Sequence, residues 1–113
     1  MKVLSLTPDE LEQLIRTDPS MVILDVREPK ELATFGRIHR SVNIELGQLT
    51  RKLKDISSLK DTPIAVVCQT GGRSADAAQI LMKNGFRTVY NLREGVLGWL
   101  LRGKTVERNV AAE

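Results

Sequence analysis

The sequence predicts an α/β fold of three layers: a mostly parallel, twisted sheet with helices on both faces. Two observations carry this expectation. Short apolar runs of strand length alternate with helical patterns along the whole chain. Residues 21–26 and 63–67 are almost wholly apolar, as strands covered on both faces must be. With 113 residues and no linker, repeat or low-complexity stretch, residues 1–113 are expected to form one domain.

Each element has its own signal. Residues 2–6 read as a short strand. Thr7, Pro8 and Glu10 form a helix start, with Thr7 as N-cap, Pro8 at the first helical position and Glu10 completing a capping box. Leu11, Leu14 and Ile15 then share one helical face. After the 21–26 strand, Pro29 opens a short helix with Leu32 and Phe35 as its apolar positions, and Gly36 stops it. Residues 41–44 read as a brief strand. Leu46, Leu49 and Leu53 point one face of the next helix inward, and 54–62 form a polar connection.

The strand at 63–67 leads to a helix over 74–84, stopped by Gly85. A strand at 87–91 and a helix at 95–102, stopped by Gly103, complete the pattern. Residues 104–113 have little to bury and are expected to be a loose tail. In parallel sheets, sites lie beyond the carboxyl ends of strands. Cys68 follows one such end, Asp25 is near another and Asn91 near a third.

The composition excludes several classes. One cysteine rules out an internal disulfide, and one thiol with one histidine, His39, cannot fill a structural zinc site. No metal or cofactor is expected. The net charge of +3 comes without aromatic–basic interleaving, which argues against nucleic acid as a partner. No apolar run is long enough for a membrane span, and no leader pattern is visible, so the expected location is cytoplasmic.

The chemistry concentrates in Cys68-Gln69-Thr70-Gly71-Gly72-Arg73-Ser74. The thiolate is the reactive form of cysteine, and three features here favour it. The following helix aims its free amides and partial positive charge back at the loop. Gly71 and Gly72 let amides turn inward. Arg73 adds a positive charge or locks the loop by pairing with a carboxylate. Ser74 suits the N-cap of the helix. Such a ring is an anion cradle for a thiolate or a persulfide. A cysteine buried only for packing has no need of a glycine-rich turn behind it, so Cys68 is read as a nucleophile.

Four stretches in order carry a family resemblance: Ile23-Leu24-Asp25-Val26-Arg27-Glu28-Pro29; residues 36–44, GRIHRSVNI; the Cys68 loop; and Val89-Tyr90-Asn91-Leu92 through Gly95 to Trp99. Over roughly residues 7–106 the chain resembles the rhodanese domain of single-domain sulfurtransferases. The resemblance implies a double displacement of the thiosulfate sulfurtransferase type. Cys68 takes a sulfane sulfur from a donor such as thiosulfate or a persulfide, and a thiol or cyanide removes it. It implies that the amides of Gln69 to Arg73 hold the persulfide anion, that Asp25 pairs with Arg73 to support the loop, and that Trp99 packs. With no second cysteine, the acceptor must come from outside, as a small thiol, thioredoxin or another sulfur-relay protein.

Three alternatives remain beside this reading. One is a persulfide carrier serving a partner protein. Another is a phosphatase or arsenate reductase, which the four residues between Cys68 and Arg73 disfavour, because those enzymes use five and need a wider cradle. The third is a non-catalytic docking module, which typically lacks the cysteine. The sequence also departs from the family at Arg37, at His39-Arg40, where Pro-Gly is common, and at Glu94, where a glycine is usual. Arg37, Arg40 and Arg93 are candidates for a basic rim that would favour anionic donors. His39 reads as an exposed loop histidine rather than a base.

Overall fold

A computed structural model describes residues 2–108. Its elements are β1 (Leu4–Leu6), α1 (Pro8–Thr17), β2 (Val22–Asp25), α2 (Pro29–Phe35), β3 (Val42–Asn43), α3 (Leu46–Lys52), a 3-10 segment (Leu53–Leu59), β4 (Ile64–Val67), α4 (Gly72–Lys83), β5 (Val89–Leu92) and α5 (Gly95–Leu101). The five strands form one sheet in the order β1-β5-β4-β2-β3, and every pairing is parallel. The expected α/β sheet is therefore present. Among the described residues, no helix is long and apolar enough to cross a membrane.

Side chains alternate across the strands, and this alternation builds two cores. Leu24, Ile64, Val66 and Val89 face one side, with Leu49 of α3 and Ala77, Ala78 and Leu81 of α4. Ile23, Ala65, Val67 and Leu92 face the other, with Leu11 of α1 and Val96 and Trp99 of α5. β4 and β2 feed both cores, which is why their sequences are unbroken apolar runs rather than alternating ones.

Local chemistry matches much of the expected layout. Glu10 N–H donates to Thr7 Oγ1 at 3.1 Å and Thr7 N–H to Glu10 Oε1 at 2.9 Å, closing the capping box of α1. Gly36 ends α2, and its amide donates to the Leu32 carbonyl at 2.8 Å.

Four expectations need correction. α4 begins at Gly72, two residues early, because Gly71 takes the left-handed cap at φ 106°. Ser74 is thus inside the first turn and not the N-cap. Phe35 does not face the core; it is 41% exposed at the end of a helix only seven residues long. Within 54–62, Ile56 and Leu59 pack on the α4 side of the core. Finally, residues 104–108 are tied down. Lys104 Nζ lies 2.8 Å from Asp9 Oδ1, 2.7 Å from Glu12 Oε1 and 5.8 Å from the centre of the Trp99 ring. Trp99 Nε1 donates to the Thr105 carbonyl, and Glu107 exchanges two main-chain hydrogen bonds with Arg37. Counting apolar residues misses such polar anchors; residues 109–113 of the expected tail lie outside the described ones.

Candidate active site

β4 is the middle strand, so the carboxyl ends of β2 and β5 flank the point where it ends. Asp25 is in register with Val67, and Asn91 with Val66. Residues 68–71 turn over this crevice before α4 starts. α5 braces them from behind: the amides of Val96 and Leu97 donate to the carbonyls of Cys68 and Gln69 at 2.8 and 3.0 Å. The loop and the β5–α5 turn approach so closely that a Cβ on Gly71 would overlap the Arg93 carbonyl, and one on Gly95 the Gln69 carbonyl. Both glycines also carry positive φ. Of the expected pair, only Gly71 is needed for its conformation; a Cβ on Gly72 would meet open space.

The Cys68 sulfur lies on the floor of this loop, and the residue is only 1% exposed. The Gly71 amide donates to Sγ at 3.1 Å, and Sγ is 3.3 Å from Ser74 Oγ. Burial pushes the thiol up. The Ser74 hydroxyl, then the amides of Ser74, Gly71 and Thr70, pull it down, and together they win, so the thiol lies below its ordinary value. Of the run 69–73, the amide hydrogen-bonded to the sulfur is that of Gly71.

The support of the loop differs from expectation. Asp25 does not reach Arg73. The chain bends sharply after β2, so Arg27, two residues on, folds back over Asp25 and takes it: Nε and Nη2 donate to its carboxylate at 3.0 and 2.7 Å. Both side chains are fully buried. Arg27 also donates to the Gly36 carbonyl and, through Nη1, to Gln69 Oε1 at 2.9 Å. Arg73 instead pairs with Glu31 of α2 through two parallel hydrogen bonds of 2.7 and 2.8 Å. Arg27, Glu31 and Asn91 were not given roles from the sequence. Arg27 and Glu31 stand in or just after the Asp25 stretch, which was the available signal.

The Arg73 hydrogen bonds hold Glu31 down to about 2 from its ordinary 4.5, against burial, which raises it. A lowered carboxylate contributes stability that is complete above about 4.5 and is lost as pH falls through about 2. Glu31→Gln is therefore expected to lose stability at pH 7 and to show a flatter acid limb than the parent between these values. Urea unfolding of both proteins at several pH values measures this; parallel acid limbs would contradict it.

The basic rim does not assemble. Arg37 donates to Ser41 Oγ and the Ser41 carbonyl, and Arg40 to the Met21 carbonyl at the amino end of β2. Arg37, Arg40, Ser41, Glu107 and Arg108 line a cavity of about 520 Å³ that includes no residue of the Cys68 loop. Arg93 alone adjoins the loop, through its backbone. The connection after α2 runs down toward the strand starts, which carries Arg37 and Arg40 away. His39 is exposed and pairs with Glu107. Beside the loop is a cavity of about 270 Å³ lined by Val26, Glu28, Glu45, Leu46, Gly47 and Arg73.

Comparison with known proteins gives the same frame. The family model of the rhodanese-like domain matches residues 7–102. A putative sulfurtransferase of Bacillus subtilis, YtwF, is 30% identical over 109 residues, covering 96% of this chain and all of that one. A tRNA uridine(34) hydroxylase of Pelagibacter ubique is 37% identical over 101 residues, covering 88% of this chain but 33% of the relative. The crystal structure of a rhodanese-related protein from Thermoplasma volcanium superposes with a TM-score of 0.82 at 34% identity, covering 94% and 99% of the two chains. The family match and the sulfurtransferase-named relative support sulfur transfer as the general activity.

Proposed function

The chain belongs to the rhodanese-like domain family, and from that premise we propose that it is a sulfurtransferase working through a persulfide on Cys68. The Cys68 thiolate attacks the outer sulfur of the donor. The donor's S–S bond breaks, and the leaving group departs with the electron pair, as sulfite when the donor is thiosulfate. A thiol or cyanide then attacks the outer sulfur of the persulfide, and Cys68 leaves as a thiolate. No metal or cofactor takes part in this cycle. In the cytoplasm a lone thiol stays reduced between turnovers, which suits the reaction.

The observation that carries this reading is the convergence of the Gly71 amide and Ser74 on a sulfur whose thiol is already lowered. The Gly71 amide is aimed at the sulfur and stabilises its anion, the Ser74 hydroxyl is near enough to turn to that anion as a second donor, and both serve the anion of a persulfide in the same way. The loop of four residues between Cys68 and Arg73 favours sulfur over a phosphoryl or arsenate group.

A second reading, delivery of sulfur by or to a partner protein such as thioredoxin or another relay protein, has its own support. Arg73 and Arg27 are each paired with a carboxylate, and Glu28 and Glu45 line the cavity beside the loop. A free dianion such as thiosulfate gains little there, whereas a protein-borne persulfide brings its own binding surface.

Intact mass after incubation with thiosulfate, or with a small persulfide, tests both. Gain of one sulfur atom that cyanide or a thiol removes, absent in Cys68→Ala, is the expected result. Gain only from the persulfide favours the carrier reading, and no gain from any donor would sink sulfur transfer.

A further inference from the structure

Four hydrogen bonds close a ring around the Cys68 sulfur. Sγ donates to Ser74 Oγ at 3.3 Å; Ser74 Oγ donates to Asn91 Oδ1 at 2.5 Å; Asn91 Nδ2 donates to the Gly71 carbonyl at 3.4 Å; the Gly71 amide donates back to Sγ at 3.1 Å. Ser74 is fully buried and Asn91 is 8% exposed. The Asn91 amide has one orientation here. Its nitrogen faces a carbonyl, which accepts only, so its oxygen faces Ser74.

Ser74 has a single hydroxyl proton. In the ring it goes to Asn91, so the thiol donates its own proton to Ser74, and every group is satisfied. The anion breaks this arrangement, because a thiolate or persulfide sulfur only accepts. The Ser74 hydroxyl lies 3.3 Å away, and its proton must turn from Asn91 to reach the sulfur. The buried Asn91 oxygen then loses its donor. One proton thus serves two acceptors, and the charge on sulfur decides which one holds it.

We propose that Asn91 is a positioning residue that keeps the Ser74 proton off Cys68 while the sulfur is neutral and yields it when the sulfur carries charge. Asn91 therefore opposes the amide cradle. It leaves the thiolate with a higher proton affinity than the loop alone would give, and such a thiolate is the stronger nucleophile. The use of that nucleophile rests on the sulfur-transfer reading; the competition for the proton does not.

The charged groups facing the loop are the Arg73–Glu31 pair from α4 and α2, Glu28 and Glu45 in the cavity beside it, the Arg27–Asp25 pair after β2, and Arg93 with the Glu94–Arg102 pair around the β5–α5 turn. Asn91→Leu and Ser74→Ala change none of them, so a shift in thiol titration in those variants reports the ring.

The test is thiolate absorbance against pH in the parent, Asn91→Leu, Ser74→Ala and the double variant. Asn91→Leu is expected to lower the Cys68 titration by about one pH unit, the worth of one redirected hydrogen bond. Ser74→Ala is expected to raise it by a similar amount, and Asn91→Leu to have no further effect in that background. Asn91→Asp, which keeps the size of the side chain and its acceptor oxygen, is expected to raise it, through its own negative charge as well as through a firmer hold on the Ser74 proton. An unchanged or raised titration in Asn91→Leu, a shift that survives without Ser74, or a lowered one in Asn91→Asp would each overturn the proposal. The titration needs no sulfur donor, so a failure of persulfide formation is read separately from a failure of the ring.

Discussion

Cys68→Ser is expected to lower sulfur-transfer turnover by at least about a thousandfold while leaving the fold intact. The substitution keeps the shape of the side chain and changes its chemistry. A serine hydroxyl does not ionise near neutral pH, even among donors that favour an anion, and oxygen cannot form the S–S bond in which the transferred sulfur is held. The stability cost is expected to be small, about 1–2 kcal/mol, because a hydroxyl placed there meets the Gly71 amide and Ser74. This matters because Cys68 also belongs to the apolar core beside Val66 and Ala77, where a cysteine kept only for packing would lie. Thermal unfolding and steady-state rates measured together separate the two roles. Turnover retained with a lowered melting temperature would make Cys68 a packing residue.

Arg27→Met is expected to destabilise the protein by about 3–5 kcal/mol. The cost comes from what is left behind. Asp25 has no solvent contact, and without Arg27 its charge is buried with no cation beside it. The Gly36 carbonyl and the Gln69 side chain lose their donors as well. Replacing both partners, as Asp25→Leu with Arg27→Met, is expected to cost about 1–3 kcal/mol less than the sum of the single substitutions, since no unpaired charge remains. Urea unfolding of the four proteins gives the coupling directly. The Gln69 contact ties this pair to the reactive loop, so alkylation of Cys68 should also quicken in Arg27→Met under native conditions. A loss below about 1 kcal/mol in the single variant would mean that the pair contributes little to the fold.

Much of the fold was legible because its signals are local. Thr7, Pro8 and Glu10 satisfy the free amides at the start of α1 among themselves, whatever the rest of the chain does. The runs ending in Asp25 and Val67 read as strands buried on both faces, and they are two of the three strands that flank the crevice. Boundaries were less legible. α4 starts at Gly72 because Gly71 turns left-handed under the Arg93 carbonyl, and that constraint comes from a residue 22 positions later in the chain.

The reactive loop was legible as a composition: a thiol, two glycines, an arginine and a serine before a helix. Its partners were not. Charge alone named no particular carboxylate for Arg73 and the resemblance implied Asp25, whereas the bend after β2 and the placement of α2 against α4 select Glu31 and leave Asp25 to Arg27. The same applies to Arg37 and Arg40, which share a charge with Arg93 but are carried toward the other end of the sheet.

The sequence by itself determined the alternation of strands and helices, the parallel sheet that follows from it, and the position of the thiol at a strand end. Hydrophobic period, capping and glycine placement act over a few residues, so they can be read without the fold. The tertiary structure alone decided which carboxylate meets which arginine, and that Ser74 lies between the sulfur and Asn91. Those choices depend on distances between side chains many residues apart, which hydrophobic pattern constrains only through the way whole elements pack.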